Sequence, residues 1–172
     1  MEKHFSKIIG MPVVGADYIR ALCSVKDIII DPENGKVIAF LVDSRRNLVV
    51  CPMDILSMKH GVWIKNEQDI INSDDVLRVG KVLKEYGSLI RKKVVTENGK
   101  VLGKVIDFSI DDKFLVLAKL YTSKSILGII QYDGRVVPSK HIISIEKDQI
   151  TVKNDSGEVL AAEKSKAVSE AA

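Results

Sequence analysis

Cysteine, aromatic side chains, long apolar runs and charge of a single sign are all scarce in this chain, and each shortage closes off a class of function. The only two cysteines, Cys23 and Cys51, sit in apolar stretches of sequence. They are expected as small buried hydrophobes with free thiols, and not as the framework of a disulfide-held secreted domain. The three histidines, His4, His60 and His141, lie far apart, and no Cys-x-x-Cys pair occurs, so the ligand spacing of a zinc site is missing. No stretch approaches the ~18 apolar residues that a membrane-crossing helix needs. The opening Met1-Glu2-Lys3-His4-Phe5-Ser6 has no apolar run of the signal-peptide kind. These shortages predict a cytoplasmic protein without a membrane span. The formal net charge is only +3. It permits weak contact with RNA or an acidic partner and demands neither.

Catalytic patterns are missing as well. Gly10-Met-Pro-Val-Val-Gly15 has the glycine spacing of a phosphate loop but continues Ala16-Asp17, where Lys and then Ser or Thr must meet the phosphate and its Mg²⁺. Neither a Gly-x-Ser-x-Gly elbow nor a His-Glu-x-x-His pair occurs. The carboxylate pair Asp111-Asp112 falls at a turn, where Asp serves backbone hydrogen bonding, and His141 follows Lys140 near Asp148, where a catalytic role would need a pocket geometry that sequence does not display. No catalytic residue, metal or cofactor is assigned.

What the chain has instead is a repeat. Val94-Val-Thr-Glu-Asn-Gly-Lys-Val-Leu-Gly-Lys-Val-Ile-Asp-Phe-Ser-Ile-Asp111 echoes the stretch from Val13 to Asp31, and Val136-Val-Pro-Ser-Lys-His-Ile-Ile-Ser-Ile145 echoes Val49 to Met58. Apolar residues make up 46% of the sequence and aromatics 5%, and the predominance of Val and Ile favours strands. In the first copy strands are expected over 21–30, 36–42, 48–50 and 62–64, with a turn at Asn34-Gly35, where both residues tolerate positive φ. In the second they are expected over 100–110, 114–121, 126–132, 135–137 and 149–152, with turns at Asn98-Gly99 and Asp133-Gly134, and Gly103 marks a bulge or sharp bend. Between the copies, Ser73 to Gly87 reads as a helix. Ser73 is its expected cap, Val76, Val79, Val82 or Leu83 and Tyr86 form its apolar face, and Gly87 is its stop; Gly80 argues against it. From Ser156 onward small and charged residues alternate without a core-forming face, the pattern of a flexible tail. The division expected is thus 1–72, a helical linker 73–87, 88–155, and a flexible or weakly helical tail 156–172.

These features resemble the PRC-barrel family, which includes the cytoplasmic domain of the photosynthetic reaction-centre H subunit and the C-terminal domain of the bacterial ribosome maturation factor. The second copy carries the likeness best, in Val94-Val-Thr-Glu-Asn-Gly-Lys-Val-Leu-Gly-Lys-Val-Ile-Asp107, Val136-Val-Pro138 and Ile142-Ile-Ser-Ile145. The first departs from it, with Ala16-Asp-Tyr-Ile-Arg20 in place of the Asn-Gly turn and Cys23 in place of Gly103. The resemblance implies an all-β protein of two tandem small barrels joined by a short helix, similar to bacterial two-barrel proteins. It also implies a non-enzymatic adaptor that docks onto protein, by strand addition at an exposed barrel edge. The alternatives are an RNA- or ribosome-associated assembly factor and a small-ligand binder in a groove between the barrels. No DNA partner is expected. The candidate contact residues are the basic runs Arg45, Arg46 and Arg91, Lys92, Lys93, together with Tyr121 and Tyr132, which lie near loops where a base could stack.

Overall fold

The computed structural model describes residues 1–17, 19–126, 129–155 and 158–159. The chain divides into two units, Met1–Ser88 with Ser109–Leu117, and Leu89–Phe108 with Ala118–Ala172. Among the described residues no helix is long and apolar enough to cross a membrane.

Unit 1 opens with β1 (Glu2–His4) and the single turn α1 (Phe5–Ile8). It continues through β2 (Pro12–Gly15), β3 (Arg20–Ser24), β4 (Asp27–Ile30), β5 (Val37–Asp43), β6 (Leu48–Val50), β7 (Ile55–Ser57), β8 (Val62–Ile64) and β9 (Ile70–Asn72), and then α2 (Leu77–Glu85). Two four-stranded sheets result, in the orders β3-β2-β8-β7 and β4-β5-β6-β9. The strand expected over 21–30 is split between them. At the break the Val25 amide donates to the carbonyl of Met11 and the Lys26 amide to that of Leu41, so the chain leaves one sheet and enters the other between these residues. The pairing order of each sheet has two ends, so neither is the closed barrel the sequence suggested.

The β4-β5-β6 sheet is buried on both faces, which accounts for the unbroken apolar run Ile28-Ile-Ile30 and the run Val37 to Val42. Ile28, Phe40 and Val50 pair across the strands and share one face. Ile29, Ala39, Leu41 and Val49 form the other face, covered by Val79 and Val82 of α2, with Val76, Leu83 and Tyr86 packed alongside. The helix is therefore built into unit 1. It begins later than the sequence implies. Ser73 lies in a separate 3-10 turn, Ser73–Asp75, which is capped by the Asn72 side chain accepting from the Asp74 amide at 2.9 Å, and no side chain caps α2. Gly80 has a packing reason. A Cβ there would come within 3.1 Å of the Ser73 carbonyl oxygen and 3.0 Å of Asp74 Oδ1, so the 3-10 turn lies against the helix only if that position is bare. Gly87, at φ +65°, ends the helix as expected, its amide reaching the Val82 carbonyl at 3.1 Å.

The second copy supplies β10 (Lys93–Thr96), β11 (Val101–Asp111), β12 (Val116–Ile126), β13 (Ile129–Pro138), β14 (Ile142–Ile145), β15 (Gln149–Val152) and β16 (Glu158–Val159). They form one open sheet in the order β14-β15-β10-β11-β12-β13-β16. The far end of the β11-β12 hairpin belongs to unit 1: β1 pairs antiparallel with it, Glu2 opposite Asp111 and His4 opposite Ser109, and the Val37 amide donates to the Leu115 carbonyl. The turn expected at Asp133-Gly134 does not form. β13 runs through those residues, and its register against β12 shifts between Thr122 and Lys124. The tail 156–172 lies outside the described residues except for Glu158 and Val159.

Register makes the duplication explicit. Val13 faces Cys23 and Val14 faces Ala21, which leaves Leu22 as a bulge; Val94 faces Gly103 and Val95 faces Val101, which leaves Leu102. β2 runs parallel to β8 as β10 does to β15. β6 takes β9 as an antiparallel neighbour as β13 takes β16.

Candidate interaction surfaces

The residues singled out in the sequence do not come together as one patch. Arg45 and Arg46 sit in the exposed β5-β6 turn. Asp43 organises that turn by accepting from both backbone amides, at 2.9 and 3.1 Å, and its other oxygen takes the Arg46 Nε at 2.9 Å. Those bonds hold the Asp43 carboxyl below its ordinary value. Arg46 is thus occupied by its own turn.

In the run Arg91-Lys92-Lys93 the three side chains part company. Arg91 and Lys93 are exposed. Lys92 is buried, and its Nζ donates to the backbone carbonyls of Glu146, at 2.9 Å, and of Lys147. It pins the β14-β15 turn, and burial pushes its amine below the ordinary lysine value. This corrects the expectation of Lys92 as a surface contact. A lysine can sit there because carbonyls facing inward at a turn need donors, a need that sequence does not display. Tyr121, half-buried on β12, faces Val136 of β13. Its counterpart in unit 1 is Leu41, which faces Val49 beneath α2. The side chain of Tyr132 lies outside those described.

Of the residues weighed for chemistry, Asp111 accepts from the amides of Lys113 and Phe114, the turn role expected of it, and Asp112 takes the Met1 amine at 2.8 Å. Both carboxyls are held low by those bonds. His141 stands in a 3-10 turn after Pro138 with a buried Nδ1 that has no hydrogen-bond partner. Cys51 is buried and Cys23 half-buried, and desolvation raises both thiols. Among the described residues no group of three His, Cys, Asp or Glu side chains is placed to hold a metal ion.

One surface feature repeats that the sequence does not reveal. β7 and β14 are terminal strands in their sheets, each preceded by a 3-10 turn, Pro52–Asp54 and Ser139–His141. In β7, Ile55 faces Ile64 and Ser57 faces Trp63; in β14, Ile142 faces Val152 and Ser144 faces Thr151. The residue between is a bulge in each, Leu56 at 63% exposure and Ile143 at 48%. A bulge re-aims the side chain it carries, and here both aim a large aliphatic into solvent. The echo of Ile55-Leu-Ser57 in Ile142-Ile-Ser144 is visible in sequence, but Met53 to Ser57 reads there as a single helical turn, whereas the turn ends at Asp54 and Ile55–Ser57 is a strand.

A family model described as PRC-barrel domain matches the chain twice, over residues 1–76 and 81–159. A search of curated proteins finds no match.

Proposed function

Because the chain belongs to the PRC-barrel family, with two copies of the domain in tandem, we propose that it is a non-enzymatic docking module that holds a protein partner against the terminal strands of its two domains. The observation that supports this reading is the repeated bulge that turns Leu56 and Ile143 outward. Full burial of an exposed Leu or Ile is worth about 1.5–3 kcal/mol, and Leu56 at 63% and Ile143 at 48% exposure forgo part of it. Keeping one at the same irregular position in both copies suits an apolar knob on each unit that bound protein covers. The bulges also interrupt the ladder at the strand ends, which disfavours the simple strand addition suggested by the sequence and favours side-chain insertion.

The test is crosslinked affinity purification of the full-length chain from its native cells, with and without ribonuclease, alongside the double substitution Leu56→Glu and Ile143→Glu. A defined protein that survives ribonuclease and falls by about tenfold or more with the double substitution is the expected result. Recovery of ribosomes or RNA alone, lost on ribonuclease treatment, would replace this reading with that of an RNA-associated factor. A partner recovered equally by the substituted chain would remove the knobs from the account.

A further inference from the structure

The two copies serve as controls for one another, and one face of unit 2 carries costs that its counterpart in unit 1 avoids. Gly10 and Arg91 occupy the same structural position. Each donates its amide to the carbonyl of the residue three positions past the bulge, Gly10 to Val25 and Arg91 to Val105, both at 2.9 Å. Each is in the left-handed region, at φ +82° and +72°. Glycine adopts that conformation without penalty, whereas an arginine pays for the clash of its Cβ with the backbone. One step further along, unit 1 pairs Pro12 with Ser24, while unit 2 pairs Lys93 with Lys104. Like charges directly opposed on neighbouring strands lie about 5 Å apart at Cβ and destabilise the pair.

Arg91, Lys93 and Lys104 are all exposed, and among the described residues none bonds a carboxylate. Of the nearby acids, Asp107 accepts from the Phe108 amide, and the charge of Asp148 acts on the buried Lys92. Beside the cations on β11 stand two exposed aliphatics, Ile106 at 57% and Val101 at 40%. The counterpart of Ile106, the residue just after the Val25 corner, is Lys26. The chain's excess of basic over acidic residues likewise lies in unit 2, with unit 1 near balance.

A strained arginine and an opposed lysine pair, both absent from the sister copy of the same fold, are what a face shaped for an anionic partner would retain. We propose that the outer face of β10 and β11, formed by Arg91, Lys93, Lys104 and Ile106, binds an acidic polypeptide segment that also carries aliphatic side chains. The carboxylates neutralise the three cations, and the aliphatics cover Ile106 and Val101. Among the described residues that form this face none is aromatic, so it offers no ring on which a nucleic-acid base could stack. Its three cations are fewer than the clusters that hold a protein to anionic lipid. This face shares no residue with the Leu56 and Ile143 knobs, so the two proposals stand or fall independently.

The experiment measures binding of the full-length chain to three labelled probes: a peptide alternating glutamate with leucine, a short single-stranded RNA, and vesicles containing phosphatidylserine. The comparison is the triple substitution Arg91→Gly, Lys93→Ser and Lys104→Ser, which restores the neutral character of the first copy. Lys93→Gln with Lys104→Gln is the milder second variant. The acidic peptide is expected to bind best, with affinity falling as salt rises, and to weaken about tenfold in the triple variant, near 1.4 kcal/mol. The thermal midpoint should stay level or rise, since strain and repulsion are relieved. Ile106→Ser should lower the part of the binding that survives high salt, and Leu56→Glu with Ile143→Glu should leave peptide binding unchanged. Tighter binding of RNA or vesicles, undiminished binding by the triple variant, or no binding of the acidic peptide would each overturn the proposal.

Discussion

Gly103 has no room for a side chain. A Cβ would lie 2.4 Å from the Ser123 carbonyl oxygen and 2.7 Å from its carbonyl carbon, and φ is +128°. The neighbouring strand's backbone occupies the space, so relief requires moving β12 and not merely a side chain. Gly103→Ala should therefore lower unfolding free energy by about 3 kcal/mol or more, combining overpacking with left-handed strain. Gly10 is the contrasting case, with nothing within 4 Å of its Cβ position, and Gly10→Ala should cost only the conformational penalty, about 1 kcal/mol. Urea unfolding of the two variants separates the effects, and equal losses would refute the steric account. The sequence marked Gly103 as a bend because glycine within a strand pattern is anomalous. It gave no sign of which strand would crowd it, since Ser123 is distant in sequence. The buried Lys92 was illegible for the same kind of reason: its carbonyl partners at Glu146 and Lys147 meet it only across the fold.

At the scale of elements, α2 illustrates how propensity and packing divide the labour. Its apolar face, Val76, Val79, Val82, Leu83 and Tyr86, was plain from the spacing, and these are the residues packed on the β4-β5-β6 sheet. Its start is not where Ser73, which looks like a cap, suggests: Asn72 caps a separate turn and the Ser73 hydroxyl is buried without a partner. What holds the polar side of the helix could not be read locally. Arg78 donates Nε and Nη2 to the two oxygens of Asp31 at 2.9 and 2.6 Å and reaches Glu33 at 3.1 Å, which ties α2 to the β4-β5 turn. The guanidinium holds the Asp31 carboxyl below its ordinary value of 3.8. A carboxyl lowered in the folded state adds stability that is present above the unfolded value and is lost as pH falls through the folded one. The chain should thus lose stability on acidification below about pH 4, and Arg78→Ala should flatten that part of the profile while lowering stability at neutral pH. Denaturant midpoints followed from pH 7 down to pH 2 check this; parallel profiles for the two proteins would show the pair to be without weight.

For the whole molecule, the duplication sets the architecture and the β11-β12 hairpin complicates it. Because Ser109–Leu117 is part of unit 1, a cut between Ser88 and Leu89 does not free a whole unit. A fragment of residues 1–88 loses the partner strand of β1 and the carbonyl that receives the Val37 amide. Hydrogen exchange at the β1 amides and at Val37 should be much faster in that fragment than in the full chain, while the amides between β4 and β5 keep their protection. Retained protection in β1 would show that its pairing with Ser109–Asp111 is dispensable. The sequence by itself determined the β-rich class, the two copies and their turns at Asn34-Gly35 and Asn98-Gly99, because each follows from local preference: β-branched side chains on a pleat, glycine at positive φ, and a motif that repeats. Only the tertiary structure decided that the long strand of the first copy breaks at Val25-Lys26 to serve two sheets, that Leu56 and Ile143 are turned outward, that Lys92 is buried between two exposed cations, and that Lys93 faces Lys104. Each of these depends on which distant backbone supplies the pairing partner, and the alternation of apolar residues along one strand carries no record of its neighbour's register.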